Sequence, residues 1–555
     1  GIAITASTAE GVFYGIQTLS QLIRPSVVGA FYHSALIEDW PTMEFRGAHW
    51  FPSASGVSFH GKLIKRIMAQ FKMNSAVIQC EAAVWDRHPE IAGPNSISKS
   101  ALADLVTIAR QNFIDPIPLI NVPGHAEWIF RNNQNRHFAE DPSVAYAYCV
   151  NHPDSWAFIE DIFEETIEVF QPERFHLGHD EVTMRGQFPH SDCPRCVGET
   201  ATDLVLKHLD RTTAWFRERG IETMIWGDMM LSRDEIPDMA AFAPNLEEAQ
   251  IRRTNLPEGI TITDWHYYRE KEYPSLGYFH DAGHPTIAST WYVPNNIYHF
   301  AHAALENQSR GLLQTTWAGF FPDEQVLKNA LHQFTAFILA AEYAWSGNDA
   351  LPTDLPFEPG RVFLDSYYRS SDKELSGYLV DLSEMAETPR EEWLGVENGW
   401  DFAALGSGKM RLDEVLFEVP QNLLLVGGRM APESALKKVE IEIGEKAKTL
   451  ALLNTTLFDA PQKSIPVRMT VVFADGSEIE TPFIQGRETH HWKSEVPALS
   501  AAVGWRTESP FGTPMVFRVS RWENPHPEKT IRKIIFDHAA AEQAWALLGM
   551  TLLGE

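Results

Sequence analysis

The sequence predicts an α/β fold: a (β/α)₈ TIM barrel preceded by an N-terminal α/β remnant and followed by a C-terminal β-sandwich domain. Two observations carry this. Strand-like and helix-like runs alternate about eight times over residues 39–355, and parallel strands joined by right-handed crossovers in that number close a barrel rather than an open sheet. After residue 405 the texture changes to short alternating runs around an Asp475-Gly476 turn, the mark of hairpins. A chain of 555 residues has room for a barrel and one or two smaller modules.

In order, residues 1–38 read as a strand over Gly1–Ala6, a turn at Glu10-Gly11 and a helix from Val12 to about Ile23. Too small to fold alone, they look like the end of a small α/β domain whose start is expected upstream. Barrel strands are expected at Phe45–Trp50, Asn74–Cys80, Ile117–Val122, Arg174–His179, Thr223–Gly227, Ile260–Trp265, Thr286–Thr290 and Leu312–Trp317. Helical patterns fall between them at His60–Phe71, Lys99–Gln111, Ser155–Phe170 and Thr202–Arg219, and Glu324–Trp345 follows the last strand. No Gly-rich phosphate loop follows the first strand, which speaks against a nucleotide site. Residues 356–405 read as a helical connector. Within 406–555, Val467–Phe473 and Glu478–Ile484 flank the Asp-Gly turn, with further strands at Met515–Ser520 and Ile531–Phe536.

A formal net charge of −28 excludes nucleic acid as the partner and disfavours anionic membranes. No apolar run is long enough to cross a bilayer and no signal peptide is visible, so cytoplasmic, periplasmic and secreted locations all stay open, as does the oligomeric state. Four cysteines make no disulfide framework. One Cys-x-x-Cys, Cys193-Pro-Arg-Cys196 with His190 nearby, is at most half a metal site and reads as two reduced surface thiols. Neither metal nor cofactor is expected. The 17 Trp are more telling, because indole rings suit ligands that present C–H faces beside hydroxyls.

Barrel chemistry collects at the carboxyl ends of the strands. Those positions carry Arg46, Glu81, His125, Asp180-Glu181, Trp226 with Asp228, Trp265-His266, Trp291-Tyr292 and Trp317. Aromatic residues around acids are the composition of a glycoside pocket. The sharpest signal is Phe175-His176-Leu177-Gly178-His179-Asp180-Glu181. With it go Asp39-Trp40-Pro41, Phe45-Arg46-Gly47, Pro123-Gly124-His125 and Glu10–Leu19. In these runs, and in their order, the chain resembles glycoside hydrolase family 20, the β-N-acetylhexosaminidases.

The resemblance implies an exo-acting enzyme that removes terminal β-linked GlcNAc or GalNAc from a glycan, or a modified form of either, by retaining, substrate-assisted catalysis. Glu181 would serve as acid and then base, and Asp180 would hold the 2-acetamido group that attacks the anomeric carbon. Tyr292 is expected to hydrogen-bond the acetamide carbonyl, with Trp291 and Tyr298 as substitutes. Arg46 would grip sugar hydroxyls, Trp226, Trp265 and Trp317 would box the acetamide methyl, and His125 would support the rim. His176 is expected to be buried and satisfied. Departures from the family pattern are His179 where Gly is common, Leu119 and Asn121 where acids are found, and Ala318-Gly319 where a carboxylate often follows the last Trp. These leave the choice among GlcNAc, GalNAc and sulfated sugar open. Two other readings stay open: a glycosidase with two separated carboxylates, Glu81 or Asp228 partnering Glu181, and a catalytically silent glycan-binding protein.

Overall fold

The computed structural model describes residues 2–554 apart from 23, 27–28, 32–33, 237–239, 269–271, 369–376, 391–401, 403–404, 414, 429–430, 459–460, 462, 495–497, 509–512 and 540–541. The chain divides into two compact units, Gly1–Pro359 and Gly360–Glu555.

In the first unit eight parallel strands form a closed barrel: Phe45–Trp50, Ser75–Gln79, Asp115–Val122, Arg174–Gly178, Glu222–Trp226, Thr261–Trp265, Thr286–Thr290 and Gly311–Gln314. Each pairs with the next in sequence, and the eighth closes on the first with Gly311 opposite Phe45. Phe45, Val77, Ile117, Leu119, Met224, Trp226, Ile287 and Leu313 fill the interior, and Trp265 and Trp317 pack on that core. The barrel is therefore solid, and ligands can be held only at its mouths.

Local chemistry sets the surrounding helices. Lys99–Gln111 starts at Ser98, whose side chain accepts from the Ala101 amide. Pro153–Phe170 carries Pro in its first turn, and Ala201–Arg217 opens with a reciprocal Thr200–Asp203 capping box. Three segments differ from expectation. The first crossover starts early, at Val57, and passes into a π-helical turn over Leu63–Met68. The last helix breaks at Ala330, whose backbone (φ −123°, ψ 33°) leaves helical geometry, giving Glu324–Asn329 and Leu331–Ser346. Residues 2–6 form no strand; the first helix spans Ala9–Leu22, its Gly11 amide held by the Thr8 hydroxyl, and a short hairpin of Arg24–Ser26 with Gly29–Phe31 follows.

Between the third and fourth strands lies a hairpin the sequence reading passed over, Ala139–Asp141 with Val144–Tyr148. It and the segment after the fourth strand bury Cys149, Cys193 and Cys196. The expectation of surface thiols for Cys193 and Cys196 is thus corrected.

In the second unit, two sheets pack face to face. One contains Tyr378–Val380, Leu424–Gly427, Thr449–Leu457, Ala501–Glu508, Pro514–Glu523 and Ala544–Leu553; the other contains Lys438–Glu445, Val467–Phe473, Glu478–Phe483 and Ile531–His538. Their facing residues, Leu450, Leu452 and Trp545 against Val471, Ile534 and Phe536 among others, form one core. The opposite face of the larger sheet is covered by Gly408–Leu412 and Val415–Val419, with Phe417 and Phe402 in a second core. Of the expected connector, 369–376 and most of 391–404 lie outside the described residues. Its described part holds one helix, Pro359–Tyr367, the strand Tyr378–Val380, which joins the larger sheet, and a turn-rich stretch over 381–390.

One buried carboxylate fixes the segment that leaves the second barrel strand. Glu165, 1% exposed, accepts from the Asp86 and Arg87 amides (2.8 and 2.7 Å) and from Lys99 Nζ (2.9 Å). Replacement by alanine strands the two amides and leaves Lys99 with Asp86 alone (2.9 Å), so Glu165→Ala is expected to cost about 2–3 kcal/mol. Thermal denaturation of the two proteins side by side checks this.

Candidate active site

The carboxyl ends of the second to eighth strands bring one set of side chains together. Consecutive residues on a strand face opposite ways, yet Asp180 and Glu181 both reach one histidine. The backbone explains this: Gly178 (φ +65°), His179 (φ +71°) and Glu181 (φ +50°) are all left-handed, a conformation that costs a non-glycine residue about 1 kcal/mol or more. At Gly178 glycine is also required for space, because a Cβ there would lie 1.8 Å from Asn121 Oδ1. His179, where glycine would be easier, is held by a buried chain from its Nε2 to His208 Nδ1 (3.0 Å) and from His208 Nε2 to the Tyr148 hydroxyl (2.6 Å).

His125, itself left-handed, comes from the end of the third strand. Gly124 beside it lets the two strand ends approach, since a Cβ would stand 2.9 Å from Val182 Cα. His125 Nε2 lies 3.1 Å from Glu181 Oε2 and 3.5 Å from Asp180 Oδ2. Burial alone would lower its pKa, but the charge of Asp180 and the hydrogen bond to Glu181 outweigh it and raise the imidazole to about 9. At neutral pH His125 is a cation bridging two acids.

Behind the pair sits Asp228, 1% exposed. Its Oδ2 accepts from the Glu181 amide (2.8 Å) and its Oδ1 from Trp265 Nε1 (2.9 Å). Burial, then the charge of Asp180, pushes its carboxyl up to about 8. Asp180 is likewise raised by burial, pulled back by His125 and pushed further by Glu181. Glu81 accepts from Gln79 Nε2 (2.6 Å), and burial lifts it to about 7. The Tyr146 hydroxyl, on the unforeseen hairpin, donates to the Glu181 carbonyl (3.1 Å), and its ring meets His125 edge-on.

The aromatic residues divide into two groups. Trp226 is fully buried against His49, His176 and Trp317 at the top of the barrel core, while Trp265, Trp291 and Trp317 are half-buried. Tyr267 stands among these three: its ring lies 5.0 Å from Trp265 and 5.5 Å from Trp291, and its hydroxyl accepts from Trp317 Nε1 at 2.9 Å. Burial and the charges of Asp180 and Asp228 keep that hydroxyl protonated. It therefore has a proton to donate. His176 is buried and bonded to the Thr263 hydroxyl as expected.

Of the expected residues, Tyr292 packs edge-on to Trp291 and His332, and Trp291 stands beside the Tyr267 ring with its Nε1 donating to Gln333. Tyr298 is no substitute, since its hydroxyl donates to the Asp349 carbonyl. Tyr267, two residues past the sixth strand, is the hydroxyl brought to the cluster, and its place after Trp265-His266 was the available signal. Arg46 sits at the amino-terminal end of the first strand. Phe45 faces the barrel interior, so Arg46 faces out. Its guanidinium donates to the carbonyls of Lys72 (2.9 Å) and Met43 (2.8 Å) and to the Tyr14 hydroxyl (3.0 Å), beside Trp345. It fastens the first helix under the barrel and is not at the mouth.

A closed parallel barrel with acids, an imidazole and indole rings at its carboxyl-terminal mouth is the architecture of a TIM-barrel enzyme. The sequence model of glycosyl hydrolase family 20, catalytic domain, matches residues 71–348, and the chain belongs to that family. Among its relatives, β-hexosaminidase subunit A2 of Dictyostelium discoideum is 22% identical over 50% of this chain and 55% of its own length. A β-hexosaminidase of Porphyromonas gingivalis is 27% identical over 33% of this chain and 28% of its own length. One of Emericella nidulans is 24% identical over 43% and 45%. The chain thus spans about half the length, or less, of the curated relatives it matches. Solved structures similar to it include a β-N-acetylhexosaminidase of Bacteroides fragilis (18% identity, TM-score 0.48, 62% of this chain and 75% of that one). A Streptomyces plicatus β-hexosaminidase gives 18% identity and a TM-score of 0.48 over 66% and 77%.

The bridging imidazole makes stability depend on pH. Its folded pKa, about 9, exceeds its ordinary 6.5, so its contribution is fully present below pH 6.5 and is lost as the pH rises through about 9. The difference in thermal midpoint between the wild type and His125→Gln is expected to be largest at pH 6 and to shrink steadily toward pH 9.5. A difference that is constant across that range would contradict the bridge.

Proposed function

We propose that this chain is an exo-acting β-N-acetylhexosaminidase. It removes a terminal β-linked GlcNAc or GalNAc, or a modified form of either, with retention, and the sugar's own 2-acetamido group is the nucleophile. One observation carries the reading. Asp180 Oδ1 is buried and meets no hydrogen-bond donor among the described residues, although its side chain stays 14% exposed at the mouth. A buried acceptor left without a donor costs about 1–3 kcal/mol, and an acetamide N–H arriving at the mouth offsets that cost.

In this reading Glu181, 21% exposed beside Asp180, gives its proton to the glycosidic oxygen as the bond to the anomeric carbon breaks. The acetamide carbonyl oxygen forms a bond to that carbon from the opposite face, closing a five-membered oxazolinium ring. Asp180 accepts the amide N–H and balances the positive charge that develops. Glu181, now a base, takes a proton from water, which opens the ring from the face the leaving group vacated; two inversions give retention. The nucleophile is tethered to the reacting carbon, so most of the entropic cost of bringing them together is met on binding. Tyr267 is the donor to the acetamide oxygen, and Trp265 and Trp317, backed by the buried Trp226, are the apolar surface for its methyl group. Trp291 holds Tyr267 in place. Family membership and the relatives named β-hexosaminidase support the same assignment.

A two-carboxylate glycosidase is the second reading. The observation in its favour is Glu81, whose Oε2 is also buried without a donor. Asp228 fits that role less well, because both its oxygens are engaged.

Aryl β-glycosides of GlcNAc, GalNAc, 6-sulfo-GlcNAc and glucose separate these readings. Turnover of acetamido sugars only, with tight inhibition by a thiazoline mimic of the oxazolinium ring, is the expected result. Asp180→Asn and Tyr267→Phe should each lower kcat by roughly 10²-fold or more. Equal rates on the glucoside, with indifference to the thiazoline, would overturn the proposal.

A further inference from the structure

Away from the mouth, four side chains converge that the proposed chemistry does not use. Glu140 lies on the first strand of the 139–148 hairpin and Cys149 directly follows its second strand. Cys193 and Cys196 come from residues 179–200, a segment with no helix or strand between the fourth barrel strand and the next helix. All four are buried, and one donor atom from each lies within 4.8 Å of the others. Cys149 Sγ is 3.6 Å from Cys193 Sγ and 3.5 Å from Cys196 Sγ, and Cys196 Sγ is 3.3 Å from Glu140 Oε2. A zinc ion with bonds of about 2.3 Å to tetrahedral thiolates sets sulfurs about 3.8 Å apart, close to the spacing here.

Two further features point to a cation. Glu140 is 1% exposed, and no Lys, Arg or His side chain forms an ion pair with it among the described residues; its Oε1 accepts only the His190 amide. A buried carboxylate normally has a cationic partner. Cys149, moreover, stands almost equally far from Cys193 and Cys196, so no pair is singled out for a disulfide, which would also leave the third thiol and the carboxylate unused. The Asn151 amide donates to Cys196 Sγ (3.5 Å), the contact that a metal-bound thiolate takes from its surroundings.

We propose that Glu140, Cys149, Cys193 and Cys196 bind one zinc ion in a closed, structural site. Binding displaces the three thiol protons to solvent. The ion clasps the hairpin to the long segment leading out of Asp180-Glu181. That segment has little core of its own, and a loop of this length without regular structure needs such a tie to hold one conformation. The same hairpin supplies the Tyr146 hydroxyl to the Glu181 carbonyl, and Asp141 accepts the Gln187 amide at 3.0 Å, so the clasp positions the acids without touching substrate.

The test is metal content. Full-length protein, made in zinc-supplemented medium and purified without chelator, is expected to hold about one zinc per chain by mass spectrometry of the metal, and the Cys193→Ser/Cys196→Ser variant less than roughly a tenth of that. Cobalt substituted for zinc should show thiolate-to-metal charge transfer in the near ultraviolet. Where the variant fails to fold, a mercurial thiol reagent added to the wild type should release zinc to a colorimetric chelator. Wild-type protein with no bound metal and all four thiols titratable on unfolding would overturn the proposal. So would a disulfide detected by mass, or a metal content that the cysteine substitutions leave unchanged.

Discussion

Adjacent side chains on a strand are forced to opposite faces, and everything at this barrel's mouth depends on suspending that rule over four residues. The left-handed backbone at Gly178, His179 and Glu181 turns the chain so that Asp180 and Glu181 share His125. Such a turn is not self-supporting. Asn121 beside Gly178, the buried His179–His208–Tyr148 chain, Asp228 on the Glu181 amide and Tyr146 on the Glu181 carbonyl each hold one part of it. Function-bearing strain of this kind persists only where the surroundings over-determine it.

The same crowding sets the electrostatics. Asp180, Asp228 and Glu81 are buried near one another and all are raised, while His125 is raised by the acids it bridges. Like charges in a dry site cannot all ionise, so protons are retained here at pH values where exposed carboxylates have lost theirs. A site that stores a proton beside an acceptor lacking a donor suits chemistry in which a proton leaves to one oxygen while an amide is gripped nearby.

Much of this was legible in the sequence because barrel strands declare themselves by period and length, and their carboxyl ends can then be read off as positions. The first and seventh strands begin and end where expected, and the Asp-Glu pair sits where its motif puts it. What failed was orientation and distance. Arg46 was placed by motif, but strand parity points it out of the barrel beneath the mouth. Apart from its place after Trp265-His266, Tyr267 carries no mark in the sequence that sets it apart from other tyrosines near strand ends, and its contacts with Trp265, Trp291 and Trp317 emerge only in the fold. The hairpin was missed although Asp141-Pro142-Ser143 followed by alternating Val144–Tyr148 is a turn-and-strand signature. With it went any hint that Glu140 and Cys149 meet a Cys-x-x-Cys some fifty positions on.

In the proposed reaction the amide oxygen of the bound sugar is the attacking atom. Replacing the N-acetyl methyl hydrogens of an aryl β-GlcNAc by one, two and three fluorines weakens that oxygen as a nucleophile in steps, with little change in size, while leaving the glycosidic bond alone. With that oxygen as the nucleophile, kcat/KM is expected to fall steeply and monotonically along the series. A flat series, with the trifluoroacetamide cleaved as fast as the acetamide, would contradict it.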